Sequence, residues 1–340
     1  MPANLSGFSP DSPPVLVTGA AGFIGSHLCE ALLAMGESVV GVDNFDGFYA
    51  RHVKDTNLRG IQASAERHVG AGGASNRWAF VEADIRRASD LHPIFEQARP
   101  RGVIHLAAKA GVRPSIQDPA SYMDVNVTGT AVVLEQVRMA RTHGCDRVVI
   151  ASSSSVYGNA SEAPFREDMD VSMPISPYAA SKRACELIGA THYQLTGIPT
   201  ACLRFFTAYG PRQRPDLAIA TFMRKMAGGE TIELFGDTSS ARDYTYIDDI
   251  VLGVIMAFKR IPRYGYRIWN LGGSNPVSLS DLVAAIERVA GKPADVRLAD
   301  ARAGDVKRTW ADTKRSQAEL QFEAKIGLEE GLRRQWEAQR

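Results

Sequence analysis

Two residues four positions apart, Tyr178 and Lys182, carry the groups in this 340-residue chain best suited to moving a proton. They stand in the run Ser176-Pro177-Tyr178-Ala179-Ala180-Ser181-Lys182. Ser176 can cap a helix and Pro177 suits its first turn, so the tyrosine and lysine fall on one helical face. An ammonium held beside a phenol stabilises the phenolate, and a phenolate can take a proton from a sugar or alcohol hydroxyl. A serine run, Ser152-Ser153-Ser154-Ser155, comes shortly before, with Ser153 25 residues ahead of Tyr178. If a nicotinamide ring lies beside the phenol, the chain is an enzyme.

A second motif supplies a place for such a ring. Gly19-Ala20-Ala21-Gly22-Phe23-Ile24-Gly25 follows the apolar run Val15-Leu16-Val17 and opens a helix that reaches Met35 and closes at Gly36. Glycines there let backbone N–H groups approach a pyrophosphate at the positive end of the helix dipole. The next strand, 39–42, ends at Asp43, 18 residues after Gly25, where a carboxylate would bind the adenine-ribose hydroxyls. That carboxylate would repel a 2′-phosphate and no arginine follows it directly, so NAD is expected rather than NADP. Asp84-Ile85 could hold the adenine ring, and Leu106-Ala107-Ala108-Lys109 could pass beneath the cofactor.

The elements that must position these groups alternate. Strands are expected at 78–82, 102–106, 147–151 and 200–204, separated by helices near 91–98, 120–142 and 178–195. Strand–helix alternation implies an α/β fold, a Rossmann-type doubly wound parallel sheet. Residues 1–13 read as a disordered tail, 14–204 as the cofactor-binding domain, and 205–340 mainly as a smaller substrate-binding lobe whose chain can cross back to the sheet. The Gly/Ala/Ser-rich stretch 60–76 reads as a surface loop or a frayed helix end. In the second half, helical pieces are expected near 217–228, 248–260 and 278–290, with Asp248 as the cap of a helix starting near Asp249.

Bulk properties limit the partners. Lys+Arg 39 against Asp+Glu 38 leaves a net charge of +1, which does not favour nucleic acid or a membrane surface. Cys29, Cys145, Cys185 and Cys202 show neither CxxC nor CxC spacing, so no metal site is expected and the thiols suit a reducing, cytoplasmic setting. No apolar run approaches the length of a membrane span.

Taken in order, GxxGxxG, Leu-Ala-Ala, Ser-Ser-Ser-Ser-Val-Tyr-Gly and Tyr-x-x-x-Lys resemble the extended short-chain dehydrogenase/reductase superfamily, and within it the nucleotide-sugar epimerase branch. The resemblance spans about residues 14–325. Asp43-Asn44 with the aromatic-rich stretch Phe45 to Tyr49, Ala110-Gly111-Val112-Arg113, Arg204-Phe205-Phe206-Thr207-Ala208-Tyr209-Gly210-Pro211, Arg214-Pro215-Asp216, and Arg242-Asp243-Tyr244-Thr245-Tyr246 are similar to the UDP-glucuronate 4-epimerase group. The resemblance implies Tyr178 as general base, Lys182 as its support and a ligand of the nicotinamide ribose, and Ser153 and Ser155 as partners of the sugar hydroxyl. It adds Asn44 and Asn126 to the residues around NAD. For a UDP-sugar it implies Arg113, Thr207, Arg242, Arg302 and Asp305, the last on the uridine ribose. It also implies a homodimer built on the two long helices.

Dehydratases of similar fold place an acid directly after the Ser/Thr; here Ser153-Ser154-Ser155-Val156 has none, so elimination is disfavoured. The expected reaction is C4 epimerisation of UDP-glucuronate to UDP-galacturonate through a transient 4-keto sugar. That intermediate is a β-keto acid prone to lose carbon dioxide, so its carboxylate needs a rigid hold. Arg214, whose planar fork suits a carboxylate, is the candidate. A UDP-glucose/UDP-galactose 4-epimerase and a UDP-glucuronate decarboxylase are the alternatives of the same class. An NAD-sensing regulator without chemistry is the alternative of another class, although such proteins commonly lack the Tyr/Lys pair.

Overall fold

The computed structural model describes residues 5, 7–9, 12–68, 77–300 and 306–339; statements below concern these residues. The first half contributes β1 (Val15–Thr18), β2 (Val39–Asp43), β3 (Trp78–Glu82), β4 (Gly102–His105), β5 (Val148–Ser153) and β6 (Thr200–Phe205). The second contributes β7 (Thr207–Tyr209), β8 (Ile232–Phe235), β9 (Ala241–Tyr246), β10 (Tyr266–Leu271), β11 (Pro276–Ser278) and β12 (Val296–Ala299). Seven of them form one parallel sheet in the order β10-β6-β5-β4-β1-β2-β3. Every residue of β1 and β2 is buried, because helices cover both faces and the strands are continuous apolar runs rather than alternating ones. β1 has β2 on one side and β4 on the other, so the winding reverses there and a crevice opens at the strands' carboxyl ends.

Glycine geometry closes that crevice tightly. Gly19 has φ +73°, and a Cβ on it would meet the Ala107 nitrogen at 2.8 Å. A Cβ on Gly25 would lie 2.0 Å from the Gly19 oxygen, so the turn after β1 and the helix Phe23–Ala34 touch backbone to backbone.

The helix that carries Tyr178 and Lys182 forms as its sequence dictates. Ser176 accepts the Ala179 N–H at 3.1 Å, Pro177 is its first residue, and Gly197 at φ +69° ends the helix Pro177–Thr196. The expected helix at 120–142 is instead a composite: Pro119–Met123, a π turn Asp124–Thr128, then Gly129–Met139 and a short 3₁₀ turn. The π turn carries Asn126, whose buried amide crosses to the next layer.

Two expectations are corrected. Residues 60–67 are the last two turns of a helix, Arg51–Arg67, whose buried face is Lys54, Asn57, Ile61 and Ser64. Only Ile61 in that set is apolar, which hides the helical period from a hydrophobicity reading; residues 69–76 lie outside the described residues. Asp248 is not the cap: the helix Ile247–Arg260 begins two residues earlier than expected, with Tyr246 as N-cap, and Asp248 sits in the first turn, 3.6 Å from Arg334. Within 1–13, Leu5 is buried and Phe8 packs on the same apolar cluster, while residues 1–4, 6, 10 and 11 lie outside the described residues.

Beyond β6 the chain builds a three-stranded sheet, β11-β9-β7, and a two-stranded one, β12-β8, and β10 returns to pair with β6. Trp269 on β10 is fully buried.

Candidate active site

A cleft of about 470 Å³ runs over the carboxyl ends of β1, β4 and β5 and is closed from above by the segment after β6. Tyr178 and Lys182 both line it. Tyr178 is held at its backbone, where its N–H donates to Ser115 Oγ at 3.1 Å, and at its ring, which meets Tyr122 edge-on at 6.2 Å. The Lys182 ammonium is buried and donates to the Ala151 carbonyl at the end of β5 at 2.7 Å. β5 runs directly into the serine run. Ser153 caps the following turn by accepting the Ser155 N–H at 3.1 Å. Ser155 Oγ is buried with no hydrogen-bond partner among the described residues, yet it lines the cleft. A buried, unsatisfied hydroxyl is costly, so one facing a cleft is suited to a ligand. Ser152, by contrast, is spent on structure: it donates to Glu186 Oε1 at 2.7 Å.

The dinucleotide side fits its expected occupant. Gly19, Gly22, Phe23, Ile24 and Gly25 all line the cleft, and the helix they open has a glycine N-cap and no acid in its first turn. Its N-terminal N–H groups are therefore left for an anion such as a pyrophosphate. Asp43, Asn44, Ile85, Leu106, Ala107, Ala108 and Lys109 also line it. Asp84 and Asn126 are not among the lining residues. Asp84 is clamped by Arg86, whose hydrogen bonds outweigh burial and pull its carboxyl down to about 2. Asn126 accepts the Lys109 N–H at 2.8 Å and donates to the Lys109 carbonyl and to Ser181 Oγ, both at 2.9 Å. It ties the segment after β4 to the helix Pro177–Thr196 from behind.

Thr207, Arg214 and Arg242 line the same cleft. Arg214 is fixed on two sides. Its Nε and Nη2 donate to the Asp216 carboxylate at 3.0 and 2.8 Å, and its guanidinium lies 5.0 Å over the Phe48 ring. Burial is the largest single influence and works against its charge, but the Asp216 hydrogen bond together with charge attraction to Asp216, Tyr178 and Tyr49 raises its affinity for the proton overall. Arg242 donates from Nη1 to the Ala241 carbonyl at 3.0 Å. Its neighbour Asp243 is wholly buried and accepts N–H groups from Gly273, Ser274 and Ala311, with burial pushing its carboxyl up to about 6. Arg113 is exposed and is not among the lining residues. Arg302 and Asp305 lie outside the described residues.

Several groups at the site were not picked out by motif. Lys54 is buried and pairs with Asp43 at 3.2 Å, so the ribose-side carboxylate has an internal counter-ion. Asn57 donates to the Ala21 carbonyl at 2.9 Å and braces the glycine loop. Both come from the unrecognised helix Arg51–Arg67, where their spacing of three residues was the available signal. Glu186, one turn beyond Lys182, binds Arg204 of β6 bidentately at 2.8 and 2.9 Å, with both side chains buried.

Three comparisons with known proteins agree with this arrangement. The sequence model of the GDP-mannose 4,6 dehydratase family matches residues 16–335. A UDP-glucuronate 4-epimerase of Thermodesulfobacterium geofontis is 41% identical over 320 residues, 94% of each chain. A crystal structure of UDP-glucuronic acid 4-epimerase from Bacillus cereus, in complex with UDP-glucuronic acid and NAD, is similar with a TM-score of 0.86 at 34% identity, covering 96% of this chain and 98% of that one. The UDP-glucose 4-epimerase of Thermotoga maritima gives a TM-score of 0.82 at 29% identity, over 96% and 98%.

Proposed function

This chain belongs to the GDP-mannose 4,6 dehydratase family of extended short-chain dehydrogenases/reductases, and from that premise we propose that it is an NAD-dependent UDP-glucuronate 4-epimerase. The observation that carries the reading is one cleft lined together by Tyr178, Lys182, an unsatisfied Ser155 hydroxyl and Arg214. The glycine loop and Asp43 would hold NAD, which when bound supplies a reversible hydride acceptor. Tyr178 removes the C4 hydroxyl proton as that carbon is oxidised, and Ser153 and Ser155 hold the same oxygen. Lys182, anchored on Ala151, keeps a positive charge beside the phenol and the cofactor ribose. The 4-keto sugar turns over in the cleft, hydride returns to its other face, and Tyr178 gives the proton back.

Loss of carbon dioxide from the keto acid requires the C5–C6 bond to align with the carbonyl π system. Asp216 holds one edge of Arg214, leaving the Nη1 end of the fork for the substrate carboxylate, which is thereby kept out of that alignment. Thr207 and Arg242 complete the sugar and diphosphate side, and Arg302 and Asp305 are assigned to the nucleotide by family resemblance. Cofactor binding is assigned mainly to 14–204 and substrate binding mainly to 205–340. The assembly proposed is a homodimer. Leu187 and Leu195, 53% and 81% exposed, share a face of the helix Pro177–Thr196, and Met123 and Met139 are exposed on the composite helix packed beside it. All four cysteines are buried and unbridged, which supports a cytoplasmic setting.

Incubation with UDP-glucuronate and chromatography of the products tests the reading. UDP-galacturonate is expected; UDP-pentose as the main product, or turnover of UDP-glucose with none of the acid, would overturn it.

A further inference from the structure

The stretch from β7, which carries Thr207, to Arg214 is held by a chain of buried side-chain amides reaching in from the C-terminal helix Leu328–Ala338. Gln335 on that helix is wholly buried. Its Oε1 accepts the Gly210 N–H at 2.9 Å, and its Nε2 donates to Gln213 Oε1 at 3.0 Å. Gln213 in turn accepts the Ala220 N–H at 3.1 Å and donates from Nε2 to the Ala208 carbonyl at 3.0 Å. The amides thus grip the residue after Thr207 and the residue before Arg214 at once. The network has a direction, since each oxygen accepts and each NH₂ donates. Turning either amide over would set like groups against each other.

The loop needs such a hold. Gly210 has φ +142° and Arg212 φ +62°, conformations that L residues rarely adopt, so local preference does not keep this backbone in place. Buried amides are costly unless fully paired, and an apolar pair would fill the same space without that demand. An amide pair supplies directional bonds to the loop backbone that apolar packing does not.

We propose that Gln213 and Gln335 are positioning residues that set the spacing of Thr207 and Arg214, and thereby the angle at which the substrate carboxylate is held. This rests on the reading of Arg214 given above. With the hold loosened, the C5–C6 bond of the 4-keto acid aligns with the ketone and breaks. Its electron pair passes into the enolate, C5 takes a proton from solvent, and carbon dioxide leaves. Return of the C4 hydride from the reduced cofactor then gives UDP-pentose. The two glutamines therefore decide between epimerisation and decarboxylation without touching the sugar.

The test uses the full chain with NAD and UDP-glucuronate labelled with ¹³C at C6, comparing wild type with Gln335→Met and Gln213→Met. The ratio of labelled carbon dioxide to UDP-galacturonate is expected to rise by about tenfold or more, and KM for UDP-glucuronate to rise, while NAD affinity changes by less than about twofold. Gln335→Glu keeps the acceptor for Gly210 but loses the donor to Gln213, and should shift the ratio in the same direction if the methionine variant does not fold. Wild-type product ratios in folded variants, with only a lower melting temperature, would reduce the network to a structural one and overturn the proposal alone. A wild-type protein that leaves UDP-glucuronate unchanged would overturn it together with the reading it rests on.

Discussion

Tyr178 is useful because of what surrounds it rather than its own type. Its backbone rests on Ser115, its ring on Tyr122, and the buried Lys182 is fastened to the strand that delivers Ser153 and Ser155. Tyr178→Phe keeps all of these contacts but removes the proton acceptor. Turnover should fall by about 10²–10⁴-fold with NAD affinity unchanged, measured by product formation and calorimetry. Full activity in that variant would refute the assignment. Arg214→Ala makes the complementary case for the substrate carboxylate. It removes the planar fork, so KM for UDP-glucuronate should rise and UDP-pentose should appear among the products on chromatography. Unchanged selectivity for the acid would mean that another residue holds the carboxylate. At this scale the sequence is readable wherever function depends on residue type at fixed spacing, as in Tyr178/Lys182. It is not readable where a side chain's partner lies far along the chain: nothing local marks Lys54 as the counter-ion of Asp43.

Among the elements, the helix Pro177–Thr196 joins chemistry to scaffold. Tyr178, Lys182 and Glu186 succeed one another at four-residue intervals, placing base, ammonium and buried carboxylate on one face. Glu186 then grips Ser152 of β5 and Arg204 of β6, so two strands and the helix share one polar joint. Removing Arg204 leaves the buried Glu186 carboxylate with only the half-buried Arg183 at 2.9 Å and Ser152 as partners. Arg204→Met should therefore cost about 3–5 kcal/mol in urea unfolding; a loss below about 1 kcal/mol, typical of an exposed pair, would count against the joint. The cap at Ser176 made this helix predictable to within a residue. The helix Arg51–Arg67 escaped because its buried face is mostly polar, spent on Asp43 and the Ala21 carbonyl instead of an apolar core.

At the scale of the whole molecule, buried histidines tie stability to pH. Burial lowers His27 to about 4, His105 to about 3 and His192 to about 4, all from 6.5. They stay neutral in the folded chain while the unfolded chain takes up protons below pH 6.5, so their contribution is present above that pH and is lost as pH falls toward 4. Each such group changes stability by about 1.4 kcal/mol per pH unit within its window. Asp243, Glu167 and Asp248, raised by burial, act in the opposite sense as pH rises, but each histidine lies further from its ordinary value than Asp243, the most displaced of the three at about 6. The melting temperature should fall between pH 6.5 and 4; a flat profile there would contradict the assignment. Assembly is checked separately by light scattering, where a monomer mass would exclude the dimer, and Leu187→Glu with Leu195→Glu should dissociate it.

What the sequence determined by itself is the architecture class and the motifs: a tyrosine and lysine four residues apart, a glycine-rich dinucleotide loop and an alternation of strands and helices, all of which depend on neighbours within a few residues. What only the tertiary structure decided is which distant residues stand together. The return of β10 to the sheet, the Asn126 tie from a π turn, the Asp43–Lys54 pair and the Gln213–Gln335 amides separated by 122 positions all rest on contacts between segments far apart in the chain. Such contacts form because packing the two halves buries polar groups that must find partners, and no local pattern says where those partners are.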